Sequence, residues 1–229
     1  MSAEVQRMFA SIAPGYDRTN EVLSMGVHRL WRRAAVRHSG ASAGQKILDC
    51  ATGTGDLALA FKRAVGEGGE VLGTDFCAEM LASAPAKAER AGLAVKFEVA
   101  DAMALPYESD RFDVASIAFG IRNVDDPVQC LRELARVVRP GGRVVVLEFG
   151  QPSGPFGAAF RFYSRHVMPA VGGALTGNRE AYEYLPRTSA AFPAGERFLD
   201  LMTRSDSYAR TEAHPLTFGT AYVYVGEVK

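Results

Sequence analysis

Apolar positions along the chain change their spacing several times, and each change marks an element. Val5, Met8, Phe9 and Ile12 fall on one face of a helix over residues 3–13, which Pro14-Gly15 stops. The polar stretch 16–20 leads to Val22, Leu23 and Met25, and a third helix is predicted from about Val27 to His38, carrying the only tryptophan, Trp31. Three short helices cannot build a core of their own, so they are expected to pack over the mouth of whatever follows. From Lys46 the pattern reads strand, glycine turn, helix, strand. Ile47-Leu48 lead to Asp49, Gly53 and Gly55 follow, Leu57, Ala58, Phe61 and Val65 recur at helical spacing, and Val71-Leu72 end at Thr74-Asp75. Cys77 to Ala91 reads as a helix and Val95 to Val99 as a strand. Phe112 to Phe119 is the continuous apolar run expected of a central strand buried on both faces. Asp126 then serves as N-cap and Pro127 as first position of a helix to Val138. Arg139-Pro140-Gly141-Gly142 turns into a strand from Arg143 to Phe149. Strand and helix thus alternate over 46–149, which predicts a parallel, doubly wound sheet with its ligands at the carboxyl ends of the strands.

Beyond Phe149 the alternation stops. A linker-like turn, 151–155, precedes Phe156, Phe160, Phe162, Tyr163, Val167 and Met168, then a loose run from Pro169 to Leu175. Helices are expected from Arg179 to Tyr184 and from Gly195 to Arg204. A final strand pair is expected from Tyr208 to Glu212 and from Leu216 to Gly226, bounded by His214-Pro215. The aromatic insert reads as a core helix or as a lid over a bulky apolar substrate, and the lid is preferred because the doubly wound core does not require it. The chain is therefore one domain: a helical cap (1–45), a cofactor-binding core (46–149), a helical substrate lid (150–205) and the final strand pair (206–229).

Candidate chemistry gathers at the strand ends. Gly53-x-Gly55-x-x-Ala58 satisfies a dinucleotide fingerprint, and Asp75, 20 residues after Gly55, falls where an acid reaches a ribose hydroxyl pair. The same geometry serves S-adenosylmethionine, which has an adenosine but no phosphate. Asp49 would repel a pyrophosphate yet suits an amino group and a sulfonium. Asp101, in Ala100-Asp101-Ala102 after the third strand, can accept from an adenine amino group. Three acids at three successive strand ends favour ligand binding over simple turn capping. An NAD-dependent oxidoreductase is the alternative from another class. Tyr16 and Asp17, after a Pro-Gly break, read equally as packing or as pocket lining.

Composition trims the choices. Lys and Arg number 26, as do Asp and Glu, so the net charge is zero and a nucleic-acid footprint is not indicated. Arg29, Arg32, Arg33 and Arg37 share one helix, as a solvated face or as a surface for anionic headgroups. Three cysteines, Cys50, Cys77 and Cys130, with no CxxC pair, indicate neither a disulfide framework nor a zinc site, and no metal is expected. With no long apolar run at the N-terminus or elsewhere, neither a signal peptide nor a membrane span is expected, and a cytoplasmic enzyme fits.

DCATGTGD, Gly73-Thr74-Asp75, ADAMALPY, FGIRNVDDP, RPGGRVVVLEF, GNREAYEYLP and FPAGERF, with the N-terminal MFASIAPGYDRTNEVLSMGVHRLWRR, resemble the ubiquinone/menaquinone-biosynthesis C-methyltransferases over nearly the whole chain. The resemblance implies a class I S-adenosylmethionine-dependent methyltransferase fold: Rossmann-like α/β, a mostly parallel seven-stranded sheet with helices on both faces. It implies cofactor contacts at Thr54, Asp75 and Asp101-Ala102, and with Asp49, Gly53 and Gly55 from the pattern above the expected cofactor site also takes in Phe76 and Ala118. The family often has serine at the position of Ala118, which puts that one contact in doubt. The implied reaction is methylation of a ring carbon on a polyprenylated quinol, with demethylmenaquinol first and a methoxy-benzoquinol of ubiquinone synthesis second. Another small-molecule O- or N-methyltransferase would share the cofactor half.

Ring carbon is a poor nucleophile, and loss of the quinol hydroxyl proton activates it. Arg122 is expected to favour the phenolate, Asn123 to bond a quinol oxygen, and Tyr16 to assist. Arg122 could instead form a buried salt bridge that shapes its loop. The base is open among Tyr16, Asp17, His166 and water. A substrate with an isoprenoid tail implies peripheral contact with the inner face of the cytoplasmic membrane through the aromatic insert and the arginine-rich helix, and the partners expected beside it are a second copy in a homodimer or a quinone-biosynthesis assembly.

Overall fold

The computed structural model describes residues 3–229. The cap comprises α1 (Ala3–Ile12), α2 (Tyr16–Ser24) and α3 (Val27–Ser39). The core runs β1 (Lys46–Cys50), α4 (Asp56–Val65), β2 (Glu70–Asp75), α5 (Ala78–Leu81), α6 (Ala84–Arg90), β3 (Lys96–Val99), β4 (Phe112–Ala118), α7 (Pro127–Arg136) and β5 (Val138–Phe149). Then follow α8 (Gly154–Phe162), α9 (Met168–Thr176), α10 (Arg179–Ala191), α11 (Glu196–Ser205), β6 (Tyr208–Leu216) and β7 (Ala221–Val228).

The seven strands form one sheet in the order β3-β2-β1-β4-β5-β7-β6. β1 to β5 are parallel, and β7 runs antiparallel to both β5 and β6. The chain winds outward from β1 to β3 and returns to β4, so a crevice opens over the carboxyl ends of β1 and β4.

Side chains of β1 alternate between two cores. Ile47 joins Trp31, Ala34 and Ala35 of α3 and Leu57, Ala58 and Phe61 of α4 on one face. Leu48 and Cys50 join Leu131 and Leu134 of α7 and Phe198 and Met202 of α11 on the other. A third cluster unites Ile12 and Leu23 of the cap with Ala181 and Tyr182 of α10, so cap and insert share a small core.

Six local expectations are corrected. The helix from Cys77 to Ala91 is two helices, because Pro85 at the start of α6 has no N–H to continue α5. α7 ends at Arg136, and β5 begins at Val138 rather than Arg143. It carries the Arg139–Gly142 stretch as an irregularity, with its register on β4 shifting between Phe112 and Val114. The run from Pro169 to Leu175 is helical, within α9. Both of its glycines are contact residues: a Cβ on Gly172 would lie 2.3 Å from Cγ of Tyr182 and one on Gly173 2.9 Å from Cβ of Arg179, so α9 and α10 approach closely because neither has one. α10 does not stop at Tyr184 but continues through Pro186 to Ala191. His214-Pro215 lies inside β6, an edge strand where proline is tolerated, and the chain reverses at Thr217–Gly219. The N-cap role of Asp126 holds, its Oδ1 accepting the N–H groups of Val128 and Gln129.

Candidate active site

Two cavities meet above the switch point. The first is a cleft of about 70 Å³ over the ends of β1, β2, β3 and β4, lined by Ala51, Gly53, Asp75, Phe76, Asp101, Ala102, Ala118, Gly120 and Asn123. The second holds about 440 Å³ between the cap and the insert, lined mainly by Met, Leu, Ile and aromatic side chains. Phe9, Tyr16 and Phe119 line both. Phe119 is held at φ +55°, a strained conformation for a residue with a Cβ, while its ring packs on Phe149 and Trp31 at centroid distances of 4.5 and 6.1 Å. It is the partition between the two spaces.

The carboxylates of the cleft are individually fixed. Asp75 accepts the Gly53 N–H on Oδ2 and the Cys77 N–H on Oδ1, both at 2.9 Å, while burial pushes its pKa upward against those bonds. Asp101 accepts the Met103 N–H at 2.9 Å. Asp49 is not in the wall. It lies fully buried beneath the floor, accepting the hydroxyls of Thr52 and Ser116 at 2.6 Å each, and burial pushes its pKa up to about 6. Thr54 turns away from the cleft and donates to Asp17 at 2.5 Å. Lys87 reaches both and also pairs with Asp56, so α2 is tied to the glycine turn. Gly55 serves packing: a Cβ there would sit 3.0 Å from the Phe97 ring. Gly53, at φ +56°, does face the cleft.

Arg122 and Asn123 part company. Arg122 lines the apolar cavity and forms a buried ion pair with Glu148 at 2.9 Å, also donating to the Phe119 carbonyl at 2.6 Å. This is the salt bridge foreseen as the alternative to a catalytic role. Burial pushes Glu148 upward, and the guanidinium opposes that shift. Asn123 faces the cofactor cleft instead, and its Oδ1 accepts the Tyr184 hydroxyl at 3.0 Å. Among the base candidates, Asp17 is engaged by Thr54 and Lys87. His166 is exposed beside Phe162, away from both cavities. Tyr16 alone of these lines the site. Sequence reasoning missed Phe9 and Phe119 at the junction, and His28, Arg32 and Tyr184 in the apolar cavity. Phe160 of the aromatic insert, expected to meet the membrane, is half-buried and lines the cavity, as Phe156 does.

No Lys or Arg is among the residues lining the cleft. Acids without cations suit an adenosine bearing a positive sulfonium and oppose a pyrophosphate, and the Gly53 N–H that a phosphate would need is taken by Asp75. The residues present therefore fit S-adenosylmethionine rather than a dinucleotide. A sequence model of the ubiE/COQ5 methyltransferase family matches residues 1–228. The chain belongs to that family. It is accordingly a methyltransferase, with S-adenosylmethionine as its methyl donor. It is 58% identical over 226 residues to the ubiquinone/menaquinone biosynthesis C-methyltransferase of Bdellovibrio bacteriovorus, covering 98% of this chain and 96% of the relative. It is 49% identical over 221 residues to the demethylmenaquinone methyltransferase of Thermus thermophilus, covering 96% and 99%. In fold it is similar to a methyltransferase structure from Thermotoga maritima, with TM-score 0.69 and 19% identity over 97% of this chain and 99% of that one. This ubiE/COQ5 chain thus has the class I α/β architecture expected of it, down to the seven-stranded sheet.

Proposed function

We propose that the protein methylates a ring carbon of a polyprenylated quinol, converting demethylmenaquinol to menaquinol. The observation that carries this reading is the apolar cavity of about 440 Å³ meeting the acidic cleft at Phe9, Tyr16 and Phe119. A flat ring with an isoprenoid tail suits such a wall, and a small polar acceptor does not. The relatives named above support it. The Bdellovibrio relative is named for both quinones, so methylation of a methoxy-benzoquinol towards ubiquinone is the second reading.

S-adenosylmethionine supplies an electrophilic methyl group on a positively charged sulfur. Asp75 and Asp101 are suited to hold its ribose and adenine, and the buried Asp49 charge favours its cation from below. Tyr16 and Phe119 hold the ring against the cleft and exclude water, which makes the encounter effectively intramolecular. Arg122 fixes the turn from Phe119 to Asn123 and places a positive charge in the quinol wall. Asn123, shared with Tyr184, steadies the cofactor side of the junction.

The tail has to leave the cavity, and the rim is apolar. Met25 lines the cavity while 82% exposed, and Phe218, also 82% exposed, rests on Phe156 at 5.1 Å between ring centroids. Among the described residues no helix is long and apolar enough to cross a membrane. The rim instead suits peripheral contact with a bilayer. Substrate choice is tested by measuring kcat/KM for reduced demethylmenaquinol and for the methoxy-benzoquinol side by side. Preference for the naphthoquinol supports the first reading, a reversed preference the second, and turnover of neither removes both.

A further inference from the structure

The wall of the apolar cavity carries one group suited to accept a proton near neutrality. His28 is 8% exposed and lines the cavity with Arg32, one turn further along α3. Ser24 donates its single hydroxyl proton to the Asn20 carbonyl at 2.7 Å, and the same oxygen is hydrogen-bonded to His28 Nδ1. With the Ser24 proton on Asn20, we assign the ring proton to Nδ1, which leaves Nε2 unprotonated. Arg32 is half-buried against the same wall. Its Nη1 has no hydrogen-bond partner and stands 3.5 Å from Asp56 at the start of α4, beside the glycine turn. A buried guanidinium nitrogen without a partner is costly unless something else fills its place. Arg122 also has an unpartnered Nε, but its Nη1 is taken by Glu148 at 2.9 Å and by the Phe119 carbonyl at 2.6 Å, whereas Arg32 Nη1 has only the longer Asp56 contact.

Resting on the quinol reading above, we propose that His28 takes the quinol hydroxyl proton and that Arg32 holds the oxygen left behind. The O–H bond breaks, the proton bonds to Nε2, and the electron pair stays on oxygen, where it delocalises onto the ring carbon that is to be methylated. The ring proton at that carbon afterwards leaves to water. The groups facing His28 are Glu21 from α2, 3.5 Å from Nε2, Arg29 and Arg32 on its own helix, and Asp56 from α4. Burial and the two arginines hold the imidazole neutral at rest, while Glu21 favours the cation once the proton has arrived.

Two measurements test the pair. In the first, His28→Gln, which keeps a side-chain amide within reach of Ser24, lowers kcat on the quinol by about 100-fold or more with KM changed less than about threefold. The acid limb of the kcat–pH profile disappears, and added imidazole restores part of the rate to His28→Ala. Parental kcat in both variants overturns the assignment. The second needs neither turnover nor cofactor. 4-Nitrophenol bound to the wild-type protein is expected to titrate at least tenfold more acidic than in water, read by phenolate absorbance, and to lose that gain in Arg32→Gln. A probe that titrates as in water overturns the pair. If the wild type methylates no quinol yet still acidifies the probe, the quinol reading falls while the phenol-activating pair stands.

Discussion

Asp49 shows how one buried carboxylate trades stability for binding. Its pKa is pushed from an ordinary 3.8 to about 6 in the folded chain. A raised acid holds its proton more tightly when folded, so its contribution is fully present below about pH 4 and is lost as pH rises through 6. The loss is about 3 kcal/mol above that range. Asp49→Asn should therefore match the parent near pH 4 and exceed it by up to about 3 kcal/mol at pH 7, in urea unfolding without ligand. Its affinity for S-adenosylmethionine should fall at least tenfold. A stability difference independent of pH would contradict this account. Arg122→Ala should cost about 3–5 kcal/mol, because Glu148 is left buried and unpaired. Adding Glu148→Gln should recover much of the loss, and additive losses in thermal unfolding would argue against the pair. The acids at the strand ends were legible in the sequence because the β-α alternation fixes where strands stop. That Asp49 lies below the floor was not, since Thr52 and Ser116 reach it from separate segments.

At the scale of elements, the core from β1 to β5 was legible because local pattern and burial agree there. The insert was not. Pro169 to Leu175 looks like loop by composition, yet it folds as α9 because Gly172 lets the Tyr182 ring approach, a tertiary requirement that no local spacing displays. Gly172→Ala should force the two helices apart and cost about 1–3 kcal/mol. It should also weaken quinol binding more than cofactor binding, since α10 carries Tyr182, Tyr184 and Leu185 into the cavity wall. Unchanged melting and unchanged quinol KM would mean that the contact is slack. The hairpin was misplaced for a similar reason. Pro215 signals a turn, but on the edge strand β6 it costs no ladder bond, and the reversal falls at Thr217, whose hydroxyl accepts the Trp31 indole N–H at 2.8 Å.

For the molecule as a whole, cap and insert are not independent. Ile12 and Leu23 pack on Ala181 and Tyr182, and Tyr163 donates to the Leu23 carbonyl at 2.7 Å. Between them they enclose the apolar cavity, with its exposed rim at Met25 and Phe218. Met25→Ser with Phe218→Ser should weaken binding to phospholipid vesicles and raise KM for a long-tailed quinol several-fold, leaving a tail-less quinol and cofactor affinity unchanged. Equal vesicle binding by variant and parent would remove the membrane role of the rim. The family could be read from the motif blocks. The meeting of the two cavities at Phe9, Tyr16 and Phe119 could not, because it depends on three segments converging in space.

The most direct test follows a labelled methyl group. The protein is incubated with methyl-labelled S-adenosylmethionine and reduced demethylmenaquinol, and the label is located by mass spectrometry and NMR. The label is expected on the unsubstituted ring carbon of the quinol. Label on a quinol oxygen, or no transfer from S-adenosylmethionine to the quinol at all, would contradict it.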